Sequence, residues 1–97
     1  MSRKPLDQPT LSRQELLDLI KNDGLRLRDG SDMQKDDREI VMAAVSQNGL
    51  ALWFASARMQ DNQDVVMAAV GQNWKSLQFA STTLRMQIGL GANGLWT

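Results

Sequence analysis

Asp29, Asp32, Asp36 and Asp37 form the densest set of side chains in this sequence that could hold a cation or move a proton. An acidic loop binds Ca²⁺ or Mg²⁺ through carboxylate oxygens when its spacing wraps the ion. Here the spacing departs from the EF-hand pattern and no glutamate closes the loop. Asp36 and Asp37 also precede an apolar run, where an aspartate caps a helix. A capped, solvated turn is expected, and no metal or other cofactor is assigned. The chain has no histidine and no cysteine. Ser-His-Asp and Cys-His catalysis, and the zinc sites built on those residues, are therefore unavailable. Gly89 to Gly94 spells G-x-G-x-x-G, but a dinucleotide site needs a strand before that loop and a helix after it. A flexible glycine-rich tail is the expected reading, and the chain is not expected to be an enzyme.

The remaining charged side chains point to no simple class of ligand. Eleven Lys and Arg balance eleven Asp and Glu, so a chain-wide basic field for phosphate backbones is missing. Arg26, Arg28, Arg58, Lys75 and Arg85 do fall in the second halves of a repeating pattern, with aspartates at the starts of its first helices. Nucleic-acid binding along that Arg/Lys edge is the alternative function, though solvation and helix capping explain the segregation more simply. Without cysteine there is no disulfide framework. No apolar run resembles a signal peptide or reaches the ~20 residues of a membrane span. A cytoplasmic protein is expected.

The elements that must position these residues come from a tandem repeat. Asp36 to Gln60 and Asp61 to Arg85 align without gaps, and about half the positions are identical. Matches include Met42 to Val45 with Met67 to Val70, Gln47-Asn48 with Gln72-Asn73, and Phe54 to Ser56 with Phe79 to Ser81. Self-similarity at this period marks a stack of supersecondary units. Ile40 to Val45 is apolar on every side, so its helix must be covered on two faces. Asp36 or Asp37 can cap it. Gln47 to Gly49 and Gln72 to Trp74 end the first helices of the two units. A second helix is expected through Leu50 to Ala55 and Leu77 to Ala80, with Ser56 and Ser81 capping a further short turn that carries Met59 and Leu84.

Sliding the frame back one period places Gly24 on Gly49, Leu27 on Leu52 and Ile20 on Val45. Ser12 to Lys35 is thus a third, degenerate unit, opened by the capping box Ser12-x-x-Glu15. Asn22 to Gly24 can adopt the left-handed conformation that ends a helix, and Asp29-Gly30-Ser31 is a turn-forming string. The fold class is all-α: a short helical-repeat array of units 12–35, 36–60 and 61–85. A flexible N-terminal arm (1–11) precedes it and a loose C-terminal tail (86–97) follows.

The pattern of Asp37 to Ser56, repeated with changes at Asn62 to Ser81, resembles a repeat domain of unknown function catalogued as family 4116. The sequence departs from that pattern at Trp74 and Lys75, where a glycine and an apolar residue are usual, and at Trp53. The resemblance implies helical-repeat architecture and carries no catalytic residues to transfer.

The repeat also supplies an internal control on the aromatic residues. Phe54 and Phe79 occur in both units and are expected in the core. Trp53 is matched by Gln78 and Trp74 by Gly49, so the repeat's core does not demand either tryptophan. Both are expected to be partly exposed, either anchoring an interface or covering a gap between units that the sister position fills another way. The sequence therefore points to a non-enzymatic protein-binding module, an adaptor or a small inhibitor, acting through Trp53, Trp74, Arg58, Lys75 and Gln78. A phage- or mobile-element-encoded antagonist is compatible with its size. The C-terminal end of the stack is a second candidate surface, for self-association.

Overall fold

A computed structural model of the chain describes residues 11–91. Within them every regular element is helical, and each unit contributes the same three in order. The long helices are α1 (Arg13–Asn22), α3 (Arg38–Gln47) and α5 (Gln63–Gln72). Each leads into a 3-10 segment, Gly24–Asp29, Gly49–Phe54 and Trp74–Phe79 respectively. Short helices α2 (Asp32–Lys35) and α4 (Ala57–Gln60) close the first two units, and α6 (Thr82–Gly91) follows the third. Long helix packs on long helix and 3-10 segment on 3-10 segment, giving the stacked array that the repeat predicts.

The second element differs from the expected α-helix. A 3-10 helix has three residues per turn, so residues three apart eclipse and six residues form three edges. Gly49 and Leu52 make the buried edge, Leu50 and Trp53 an outer one, and Ala51 and Phe54 the third. Phe54 and Phe79 are half-buried, not interior as expected. The core runs instead through Leu16, Ile20, Leu27, Ile40, Val41, Val45, Leu52, Val65 and Val66, all at 0–1% exposure. Burying a side chain of this size contributes about 1.5–3 kcal/mol. Both sides of α3 are covered, as its composition requires.

Capping fixes each boundary. Ser12 and Glu15 form the expected reciprocal pair, and Ser31 with Gln34 forms another. Asp37 caps α3 and Asn62 caps α5, while Ser56 caps α4 and Ser81 accepts from the Leu84 N–H. No left-handed residue ends the long helices. Asp23, Asn48 and Asn73 are extended, with φ of −157°, −151° and −155°, and their side chains accept from the N–H two residues on. Gly24 and Gly49 serve close approach instead. A Cβ at Gly24 would lie 2.4 Å from the Ala44 carbonyl oxygen, and one at Gly49 would lie 2.3 Å from that of Ala69.

Units are joined by bonds that recur one period apart. Gly24 N–H donates to Gln47 Oε1 (2.8 Å) and Gly49 N–H to Gln72 Oε1 (2.6 Å). Ser56 N–H donates to the Lys35 carbonyl (2.9 Å) and Ser81 N–H to that of Gln60 (2.8 Å). Within each unit the ends are tied as well: Ser56 Oγ donates to Asp36 and Ser81 Oγ to Asp61, both at 2.6 Å. These contacts set the register that apolar packing alone leaves loose.

The third unit breaks the pattern. Trp74 stands where Gly24 and Gly49 admit the next long helix, so another unit cannot dock there in the same register. Leu77 and Val70 are half-buried where Leu52 and Val45 are fully buried. The tail also differs from expectation, because α6 runs on to Gly91. Met86 and Gln87 occupy the positions of Asp61 and Asn62, so the residues that would break and recap the chain are gone. Leu11 packs against the core and belongs to the array, not to the arm. Residues 1–10 and 92–97 lie outside the described part, and with them the rest of both terminal expectations.

Ser76 is fully buried, and its hydroxyl has no hydrogen-bond partner among the described residues. The equivalent residue, Ala51, is equally buried. An unpaired buried hydroxyl costs about 1–3 kcal/mol. Ser76→Ala is expected to raise stability by ~1 kcal/mol in denaturant titration, with no change in the slope of the transition.

Candidate functional site

The outer edges of the 3-10 segments build one apolar surface. Leu25, Leu50, Trp53, Phe54 and Phe79 line a shallow groove across all three units. Its aromatic end is ordered by stacking: the rings of Trp53 and Phe79 are 5.1 Å apart at an interplanar angle of 59°. Tilted aromatic pairs at this distance contribute about 0.5–1.5 kcal/mol beyond their buried area. Trp53 nonetheless remains 61% exposed, so it both packs and offers a face.

Trp74 is 64% exposed and lines a second groove with Lys75, Leu77, Gln78 and Arg85. Lys75 and Gln78 fall on the same outer edge of their segment as Leu50 and Trp53 do on theirs, whereas Trp74 and Leu77 continue the edge that Gly49 and Leu52 bury, so this groove runs from the outer edge onto the C-terminal end of the stack. Gln78 is held by its Nε2 donating to the Lys75 carbonyl (3.1 Å). Of the five residues singled out from sequence, Trp53, Lys75 and Gln78 thus fall on the outer edges of this surface and Trp74 at its C-terminal end. Leu25, Leu50, Phe54, Phe79 and Arg85 belong to it as well.

Arg58 does not join them. Its Nε and Nη2 grip the Asp36 carboxylate at 3.0–3.2 Å, and Nη2 also reaches the Asp36 carbonyl (3.2 Å). The Arg58 guanidinium, with the Ser56 hydroxyl, holds Asp36 below the usual carboxylate range. At Asp37 burial pushes the other way, but hydrogen bonds from Arg13 and from the Ile40 and Glu39 amides outweigh it, and this carboxyl is lowered too. Arg13 also meets Glu39, and Arg38 meets Asp64 (3.0 Å), so a ladder of arginines ties each unit to the next. Three of the four clustered aspartates are therefore engaged: Asp29 with Arg26, Asp36 with Arg58 of its own unit, and Asp37 in capping α3 and meeting Arg13 of the first unit. Among the described residues no three acidic side chains are grouped to hold a metal ion.

Lowered carboxylate values fix the sign of the pH dependence. Ionised Asp36 and Asp37 stabilise the fold fully above their ordinary value of 3.8. That contribution is lost as pH falls through the lowered values. Asp36→Asn is expected to lower the melting midpoint at neutral pH, and the gap from the parent should close as pH falls below 3.8. Both proteins scanned across that range by circular dichroism give the comparison.

A family model described as "Domain of unknown function (DUF4116)" matches residues 13–60 and again 37–85. The chain belongs to this family. Each DUF4116 match spans two units, and the two overlap on the middle one, so the model recognises a pair of stacked units. The degenerate first unit, 12–35, falls inside the first match and is a DUF4116 unit like the others. No match was found among the curated proteins or the solved structures. Among the described residues, no helix is long and apolar enough to cross a membrane.

Proposed function

We propose that this DUF4116 chain is a non-enzymatic, cytoplasmic protein-binding module, an adaptor or small inhibitor, whose contact surface is the outer face of its 3-10 segments continued onto the C-terminal end of the stack. One observation carries the reading. Trp53 and Trp74 remain largely exposed on adjoining grooves of that surface, at positions where the sister units place glutamine and glycine. Large aromatic side chains in water cost free energy that a partner recovers by covering them, and tryptophan is enriched among the residues that dominate interfaces. Binding along the Arg/Lys edge is less favoured, because three of its five cations, Arg26, Arg28 and Arg58, each meet an intrachain carboxylate within 4.0 Å.

The test is affinity capture from the native cell with the parent chain and with Trp53→Ala/Trp74→Ala. Losing both anchors is expected to weaken capture of a specific partner by at least tenfold, since each hot-spot truncation costs about 2 kcal/mol or more. Undiminished recovery by a double variant with a parental circular-dichroism spectrum would remove this surface from the account.

A further inference from the structure

The groove at the third unit differs from its neighbour in charge, and that difference names the chemistry of what fits it. Between the earlier units the groove is wholly apolar, lined by Leu25, Leu50, Trp53, Phe54 and Phe79. At the third unit, Lys75 replaces Leu25 and Leu50, and Arg85 stands at the position of Gln60. Gln60 turns inward and donates to the Leu52 carbonyl (2.9 Å). Arg85 does not repeat that bond and contacts Thr82 Oγ1 instead (3.2 Å). No acidic side chain lines this groove, and among the described residues neither Lys75 nor Arg85 forms an ion pair. Two cations thus flank an apolar floor of Trp74 and Leu77 in a space of about 420 Å³.

Resting on the protein-binding reading above, we infer that this groove takes an acidic segment of a partner protein. An aliphatic or aromatic side chain sits on Trp74 and Leu77, and adjacent Asp or Glu carboxylates pair with Lys75 and Arg85. Carboxylates supply the sign of charge that the groove lacks, and across an interface such pairs fix orientation and suppress wrong partners. Another unit of the same kind is excluded in register, because Trp74 fills the notch that glycine leaves elsewhere. A second copy meeting the same groove about a two-fold axis would set Lys75 and Arg85 against their own images. Nucleic acid fits less well, because two cations beside one exposed indole offer few phosphate contacts to release counterions.

The experiment pans a phage-displayed library of random peptides on the immobilised full chain, on Lys75→Glu/Arg85→Glu, and on Trp53→Ala/Trp74→Ala. The parent is expected to enrich peptides with Asp or Glu beside a large apolar residue, and charge reversal should abolish or invert that preference. A selected peptide should bind at least tenfold less tightly when its acidic residues become amides. Lys21→Glu, a reversal on α1, should leave its affinity unchanged. Selected peptides without acidic enrichment that still require the tryptophans would overturn the inference while leaving the binding surface intact. If no selected peptide depends on Trp53 or Trp74, the surface itself fails. A dimer in sedimentation that Lys75→Glu/Arg85→Glu dissociates, or tighter binding of a single-stranded oligonucleotide than of any acidic peptide, would give the groove a different occupant and overturn the inference.

Discussion

Gly49→Ala is expected to destabilise the array by ~3 kcal/mol, whereas Gly71→Ala, on the helix that Gly49 faces, should stabilise it by ~0.5–1 kcal/mol. The contrast follows from space and not from backbone conformation. A Cβ at Gly49 would sit 2.3 Å from the Ala69 carbonyl oxygen and 2.6 Å from Ser76 Oγ, while one at Gly71 would meet nothing within 4 Å. Ala69 lies in the middle of α5, so its carbonyl cannot yield without shifting the helix. Such a shift would also stretch the 2.6 Å bond from Gly49 N–H to Gln72 Oε1, one of the polar contacts that tie the second unit to the third. Overpacking typically costs about 1–3 kcal/mol, and weakening a buried polar contact adds to it. At Gly71 only the helix propensity changes, and alanine is the better former by up to ~1 kcal/mol. Equilibrium urea unfolding of both variants measures the difference. If Gly49→Ala were as stable as the parent, the units would not be pressed together as closely as the contacts here require.

That glycine shows what a sequence conveys and where it stops. The period, the caps at Ser12, Ser56 and Ser81, and the need to cover α3 on two sides were all legible, because each depends on residues close together in the chain. The first unit could be placed from Gly24, Leu27 and Ile20 alone. What Gly24 and Gly49 do was not legible. A glycine after Asn or Asp at a helix end suggests a left-handed cap, but here the decisive neighbour is a carbonyl one unit away. The 3-10 period of Gly49 to Phe54 was hidden for a related reason. Six residues are too few to separate a period of three from 3.6, and the 3-10 form is held by the Leu50 N–H donating to Asn48 Oδ1 together with stacking on the next segment. On the binding surface, exposure of Trp53 and Trp74 could be read by comparing sister positions. Arg58 could not be assigned that way. Its sister is Thr83, which says nothing about the Asp36 carboxylate reached at the far end of the same unit.

Ile40→Glu should unfold the protein or lower its stability by more than ~4 kcal/mol, although the first unit carries Glu15 at the equivalent position. Glu15 is exposed and closes the Ser12 capping box, so its charge stays in water and helps the start of α1. Ile40 is at 0% exposure in α3, enclosed between the first and third units. A carboxylate there would be stripped of solvent in an apolar layer. It would either stay charged at a cost of several kcal/mol or take up a proton and leave a hydroxyl buried among hydrocarbon. Its loss of stability should therefore shrink as pH falls and protonation neutralises the group, opposite in sign to the acid sensitivity expected from Asp36 and Asp37. The reverse exchange, Glu15→Ile, should cost no more than ~1 kcal/mol, because it removes half of a capping box at an exposed end. Circular dichroism melts of the two exchanges, each run at neutral and acid pH, distinguish these cases. One residue type at one repeat position thus has opposite effects in the terminal and middle units. An outer unit can shed the constraints of stacking and use polar residues at its open face, whereas a unit sandwiched between two others must present apolar surface to both.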